Sequence, residues 1–230
     1  MKNIVLLLIF TIIFSSCQEN KKKTDVTDDF EKSYKEQKDS ESLPDYTEHF
    51  DSTNNLYSNY KYKVAFDAPN HWSSDTGVSE HTIFRTFQQD SAISFAINVI
   101  ELKMDENEKA PDIWEMYQIQ KVKMDYTYKV LIPKQFNSKV EDFRASKTYI
   151  KNKTTLKRQF KYLVRELDLE YYNTSIVYQT LIDNLSYTFS LDVPTMFYDQ
   201  NPSFYDNLIR NVSFLYGKDN VNNYLNKKEN

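Results

Sequence analysis

Glycine is almost missing from this chain. Of 230 residues only Gly77 and Gly217 are glycine, so neither a G-x-G-x-x-G turn nor a P-loop can be written anywhere in it. Phosphate cradles of those two kinds are excluded. With three histidines (His49, His71, His81) and one cysteine (Cys17), a zinc site of thiolates and imidazoles, which takes three or four such ligands, would need nearly all of them at once and is not expected. Charge of one sign is also lacking: 29 Lys+Arg against 33 Asp+Glu leave a formal charge of −4, too small and of the wrong sign for a nucleic-acid partner. No G-x-S-x-G elbow occurs, so a hydrolase triad of that type has no place to form. Long hydrophobic runs are limited to one, at residues 4–14. It is far shorter than the roughly 20 residues a membrane-spanning helix needs.

What is present at the N-terminus has the layout of a signal peptide: a basic start at Lys2, the apolar run, then the small pair Ser15-Ser16 and Cys17. Phe14-Ser15-Ser16-Cys17 resembles the bacterial lipobox, departing from it only at Phe14, where leucine is usual. The resemblance implies removal of residues 1–16 and a lipidated N-terminal Cys17. Acyl chains contribute ~0.8 kcal/mol per buried CH₂, so two or three of them anchor a protein stably. With Cys17 acylated, no thiol remains for a disulfide or for thiol catalysis. The expected location is therefore the bacterial cell envelope, outside the cytoplasm. The plainer alternative is an ordinary secretory signal with an incidental cysteine.

Residues 18–55 hold 6 lysines and 11 acids, a net of −5, with apolar residues only as singles such as Val26, Phe30, Tyr34, Leu43 and Tyr46. A stretch of that composition buries too little apolar surface to offset its ordering entropy, so 17–55 reads as a lipidated, acidic, disordered tether. The remaining residues 56–230 carry 22 basic and 22 acidic side chains and are neutral as a unit. A single domain is expected over 56–216, followed by a polar tail at 217–230.

Within that domain, alternation predicts a strand over 60–68 (Tyr60, Tyr62, Val64, Phe66, Ala68 inward), stopped by Pro69. Two more strands follow at 81–88 and 92–102, joined by the turn Gln89-Asp90-Ser91. Pro111 suits the first turn of a helix whose stripe is Ile113, Trp114, Met116, Tyr117 and Met124. Tyr128, Val130 and Ile132 then alternate as a strand before Pro133, and 145–150 is a further strand. Leu156, Phe160, Leu163, Val164 and Leu167 could form a helical stripe. Strand is nevertheless assigned to 156–165 because the segments after it are strongly β. Residues 176–182 and 185–193 alternate around the turn Asp183-Asn184. A last helix begins at Pro202, and Val212-Ser213-Phe214 closes the domain. Antiparallel hairpins with added helices define an α+β class.

The opening Tyr62-Lys63-Val64-Ala65-Phe66-Asp67-Ala68-Pro69-Asn70-His71-Trp72 and the closing Ile209-Arg210-Asn211-Val212-Ser213-Phe214 resemble the two ends of PsbP-like (Mog1/PsbP) domains, over roughly 60–215. His71 stands where that family often has glycine, and Lys151-Asn152-Lys153 where a glycine turn is common. The resemblance implies an antiparallel sheet between helices, used for binding and assembly, with no catalytic residues to carry over.

Candidate site residues are few. Trp72 could line a ligand groove or seal a core edge. His71 and His81 could pair with Asp75 or Glu80 around a metal, but no H-x-H or H-x₃-H spacing exists, so solvated or hydrogen-bonded histidines are the plainer reading. Glu141-Asp142 and Glu166, Asp168 and Glu170 could supply acid and base, although charge runs are usually solvated faces. Eighteen tyrosines could build an aromatic platform, or simply reflect β-rich composition. The resulting expectation is a non-catalytic envelope lipoprotein, with no cofactor or metal, whose domain binds a protein partner or assists assembly. The alternative is a small-molecule or glycan binding module, or weak hydrolase, with a cleft near Trp72 and the hairpin of the second and third predicted strands.

Overall fold

The computed structural model describes residues 48–89, 91–104, 110–166 and 169–216. Residues 1–47, with the expected signal peptide, Cys17 and most of the tether, and the tail at 217–230 lie outside them.

Order begins earlier than the composition suggested. β1 (Glu48–Asp51) falls inside the expected tether and pairs antiparallel with β2 (Leu56–Asn59). It is held there because Phe50 packs against Phe84 at 6.1 Å and the Tyr57 hydroxyl donates to Glu48 Oε1 at 2.7 Å. Asp51 Oδ1 accepts from the amides of Thr53 and Asn54 and so shapes the intervening turn.

The strand expected over 60–68 is halved. Only β3 (Val64–Asp67) is extended, and residues 60–63 form the turn that joins it to β2. Asn59 Oδ1 accepts from the Tyr62 amide and Lys63 takes a left-handed φ of 49°. An asparagine that captures the backbone ahead of it competes directly with a sheet ladder. The alternation of Tyr60 and Tyr62 was thus a coincidence of turn residues.

β4 (Ser73–Thr76), β5 (Thr82–Phe87) and β6 (Ser94–Glu101) form a meander; the last two match the expected pair, while polar β4 left no hydrophobic signal. α1 (Ile113–Tyr126) starts where Pro111 indicated. Asp112 is its N-cap, accepting from the amides of Trp114 and Glu115.

The expected strand at Tyr128, Val130 and Ile132 is a correction: those residues are helical. A π-helical turn (Thr127–Leu131) continues α1 into α2 (Ile132–Phe136), with Pro133 in the first turn of α2. Proline has no N–H to return to the carbonyl four residues back, and the Ile132 amide bonds Thr127 O, five residues back, which is the π pattern.

β7 (Val140–Ile150), β8 (Lys153–Glu166), β9 (Leu169–Ile182) and β10 (Leu185–Pro194) are successive antiparallel hairpins, so the strand assignment of 156–165 holds. The turn between β7 and β8 has Lys151 and Asn152 at φ of 45° and 65°, the two left-handed positions of a tight hairpin that glycine usually fills. α3 (Thr195–Gln200) was not anticipated; α4 (Pro202–Leu208) was. β11 (Val212–Phe214) closes the chain.

The antiparallel α+β class is observed, with its strands divided between two sheets. One has four strands in the order β1-β2-β3-β11; the other has seven, β4-β5-β6-β10-β9-β8-β7. The main core lies between the sheets, where Phe66 stacks on Phe95 at 4.4 Å and Tyr57 on Phe84 at 4.5 Å, and α3 and α4 contribute Tyr198, Tyr205 and Leu208. The opposite face of the large sheet receives α1 and α2 through Ile113, Met116, Tyr117, Tyr128 and Ile132. Helices therefore stand on both faces of the seven-stranded sheet.

Candidate interaction surface

His71 and His81 do not converge, whereas Glu141 lines a groove of about 320 Å³ with Tyr172 and Arg165, the partner of Glu170. Trp72 is 4% exposed and belongs to the main core; its indole N–H donates to His71 Nε2 at 3.1 Å and its amide bonds Pro69 O. His71 is exposed on the loop after β3. His81 sits at the turn between β4 and β5. Ser73 opposes Phe87 and Thr76 opposes Phe84, so the two histidines flank opposite ends of that hairpin. Among the described residues, no three His, Cys, Asp or Glu side chains are grouped so as to hold a metal ion. Glu141 accepts from the Tyr172 hydroxyl and Glu170 pairs with Arg165 at 2.6 Å, both at the surface; Asp142 occupies a bulge with φ of 53°. The side chain of Glu166, and Asp168, lie outside the described residues.

An open groove of about 510 Å³ does lie beside Pro69, floored by Phe204 and Leu208. Two of its carboxamides serve the fold itself: Asn201 caps α4 by accepting from the Phe204 amide, and Asn211 Nδ2 bonds Asp67 O. Ser203 and Asn207 complete its polar lining.

A different feature stands out on α1. Its inner face is locked to the sheet by a buried ionic strut that no sequence pattern announced. Arg158, on β8, is 1% exposed and Asp125, on α1, 2%. Arg158 Nε reaches Asp125 Oδ1 at 3.3 Å, Nη1 donates to Gln179 Oε1 at 3.1 Å, and the guanidinium lies 4.7 Å from the Tyr128 ring centre. Asp125 Oδ2 also receives the Tyr117 hydroxyl at 3.1 Å and pairs with Lys129 at 3.2 Å. Burial, then the adjacent Asp125 carboxylate, push the Tyr117 hydroxyl up to about 12, so it remains a proton donor at neutral pH. An unpaired charge at this depth would be costly, and here each partner is satisfied more than once.

The outer face of the same helix is apolar where water is expected. Ile119 is 83% exposed, Val122 88% and Tyr126 44%. Val122 and Tyr126 are spaced i, i+4 on the second half of the helix and share a face there, with exposed Lys121 and Lys123 beside them, while Ile119 precedes a break at Gln120 (φ −121°, ψ 25°). The helix thus has apolar residues on two sides, one spent on the sheet and one left to solvent. Single exposed apolar residues are ordinary, but three large ones within one docked helical segment are the form of an interaction surface.

Among solved structures, the chain is similar to the solution structure of cyanobacterial PsbP (CyanoP) from Synechocystis sp. PCC 6803, with 14% identity, a TM-score of 0.52, and coverage of 76% of this chain and 98% of that one. The fold is PsbP-like. A crystal structure from Bacteroides thetaiotaomicron shares 14% identity over 66% of this chain and 45% of its own length, at a TM-score of 0.41, too low to define a fold. No protein-family model matches the chain, and no curated protein matches it by sequence. Among the described residues, no helix of this PsbP-like domain is long and apolar enough to cross a membrane.

Proposed function

We propose that this chain is a lipid-anchored protein of the bacterial cell envelope whose PsbP-like domain binds a protein partner through the outer face of α1, without catalysis. The observation that carries this reading is the exposure of Ile119, Val122 and Tyr126 on a helix whose second half is pinned from beneath by Arg158 and Asp125. A preorganised apolar face loses little conformational entropy on association, which favours recognition by a partner. Cys17 and the polar stretch behind it would hold the domain near a membrane and give it reach. The glycan alternative loses its main support, since Trp72 is in the core.

The test is crosslinking in intact cells of the full chain carrying Ile119→Glu and Val122→Glu together. Both side chains are solvent-facing, so melting should stay close to that of the parent while capture of the partner falls about tenfold or more. Undiminished capture by a normally folded variant would remove α1 from the interface.

A further inference from the structure

β7 is the last strand of the seven-stranded sheet, and it is paired on one side only, to β8. Among the described residues no backbone group outside β8 bonds to it. Its first part is blunted, because the register slips between Glu141 and Arg144 and Asp142 takes a left-handed φ of 53° there. From Arg144 to Ile150 the ladder with β8 is regular, so alternate residues of that run turn their N–H and C=O groups outward. At a rise of about 3.3 Å per residue this open edge is roughly 20 Å long. Unpaired strand edges are templates for another strand.

The edge runs beside the exposed apolar residues of α1. Ala145 packs against the cluster of Ile113, Met116, Tyr117 and Leu156, which sets the helix over β7 and β8. Lys129, one turn past Tyr126, holds its ammonium 4.2 Å from the Phe143 ring centre, so the side of the helical segment bearing Tyr126 and Val122 leans over β7. Tyr149, 63% exposed, stands on the same face of the strand as Ala145. An open ladder and an apolar wall thus adjoin. Cations surround both: Lys121, Lys123, Arg144 and Lys147 are exposed, while the neighbouring acids are engaged, Glu141 by Tyr172 and Asp142 by Lys161.

We propose that the partner bound at α1 adds an extended acidic segment to the free edge of β7, as an extra strand of the large sheet. Main-chain hydrogen bonds to the run 144–150 supply affinity, and alternate apolar side chains lie against Val122, Tyr126 and Tyr149. Carboxylates between and beside them meet Arg144, Lys147 and the helix lysines. A second copy of the chain fits less well, because antiparallel self-pairing of this run centres on Lys147 and sets like charges opposite each other. The site rests on the α1 surface proposed above, since Val122 and Tyr126 form its wall.

The experiment titrates the full chain in detergent micelles with three end-blocked peptides: Glu-Val-Glu-Val-Glu-Val-Glu, the same peptide N-methylated at every residue, and Lys-Val-Lys-Val-Lys-Val-Lys. Calorimetry reads affinity and hydrogen exchange reads the β7 amides. The acidic peptide should saturate with a Kd of about 100 μM or tighter and slow exchange of alternate amides within 144–150 about tenfold or more. The N-methylated and lysine forms should bind about tenfold more weakly or worse. Arg144→Glu with Lys147→Glu should melt close to the parent, bind the acidic peptide about tenfold more weakly, and capture less partner on crosslinking in intact cells. Failure to saturate, unchanged exchange of the β7 amides, equal binding of the N-methylated form, or undiminished capture by the charge variant would each overturn strand addition. A dimer formed without peptide, with the same amides protected, would overturn it in favour of a second copy. If strand addition fails while Ile119→Glu with Val122→Glu still loses capture, the α1 surface stands without the added strand.

Discussion

Asp192 shows how one side chain's surroundings set its protonation. Burial raises its carboxyl above the usual carboxylate value, against the opposing hydrogen bonds from Ser175 and Tyr162. A carboxyl whose pKa is higher folded than unfolded contributes stability that is full below the unfolded value, near 4, and is lost as pH rises through the folded one. Ionising Asp192 therefore costs stability as pH rises. Asp192→Asn should melt at or above the parent at pH 7, and the difference should shrink as pH is lowered toward about 4. Thermal melts of both proteins between pH 4 and 8 measure this; a variant that melts well below the parent at pH 7 would show that the carboxylate is stabilising. Trp72 offers the contrasting lesson, since an aromatic residue suggestive of a groove seals the core edge.

At the scale of elements, the helical segment from α1, kinked at Gln120, through the π turn to α2 is positioned by three local causes. Asp112 starts it, Pro133 forces the wider turn, and Asn137, with a left-handed φ of 45°, ends it by donating its amide to the Lys134 and Pro133 carbonyls. Docking is decided by Arg158, the one charged member of an inward row otherwise made of Leu156, Phe160, Tyr162 and Val164. Arg158→Met should leave Asp125 buried with only Lys129 and Tyr117, at a cost of about 3 kcal/mol. For a domain of this size that corresponds to a fall in melting temperature of about 6–12 °C. Adding Asp125→Leu should recover most of the loss, because two apolar groups replace a buried pair at little net cost. Calorimetric melts of the single and double variants decide it, and a single variant that melts like the parent would deny the strut its role.

For the molecule as a whole, the boundary of the folded unit is the quantity most open to measurement. β1 adds to the four-stranded sheet and brings Phe50 onto Phe84, so protease should spare the segment from Glu48 onward rather than cut up to Asn55. Limited proteolysis of the mature protein, read by mass spectrometry, should give a resistant fragment whose N-terminus lies just before Glu48. A fragment beginning at or after Leu56 would show that β1 is only loosely held.

Local chemistry alone fixed a large part of this protein. Alternation located β5, β6, β9 and β10, because a half-buried strand must repeat every two residues, and Pro111 located the start of α1 to within two residues because its fixed φ suits a helix entry. Those elements and the two ends of the domain were enough to suggest a PsbP-like arrangement. Tertiary structure decided the rest. Polar β4 and acidic β1 are strands only because neighbouring strands complete their hydrogen bonds, and Tyr128 and Ile132 are helical with the π turn and pack on Phe160 and Val177 of the sheet. The exposure of Ile119, Val122 and Tyr126 was unreadable in sequence for the same reason. A side chain's exposure, and its neighbours on three different strands, are properties of the packed sheet rather than of any local window of residues.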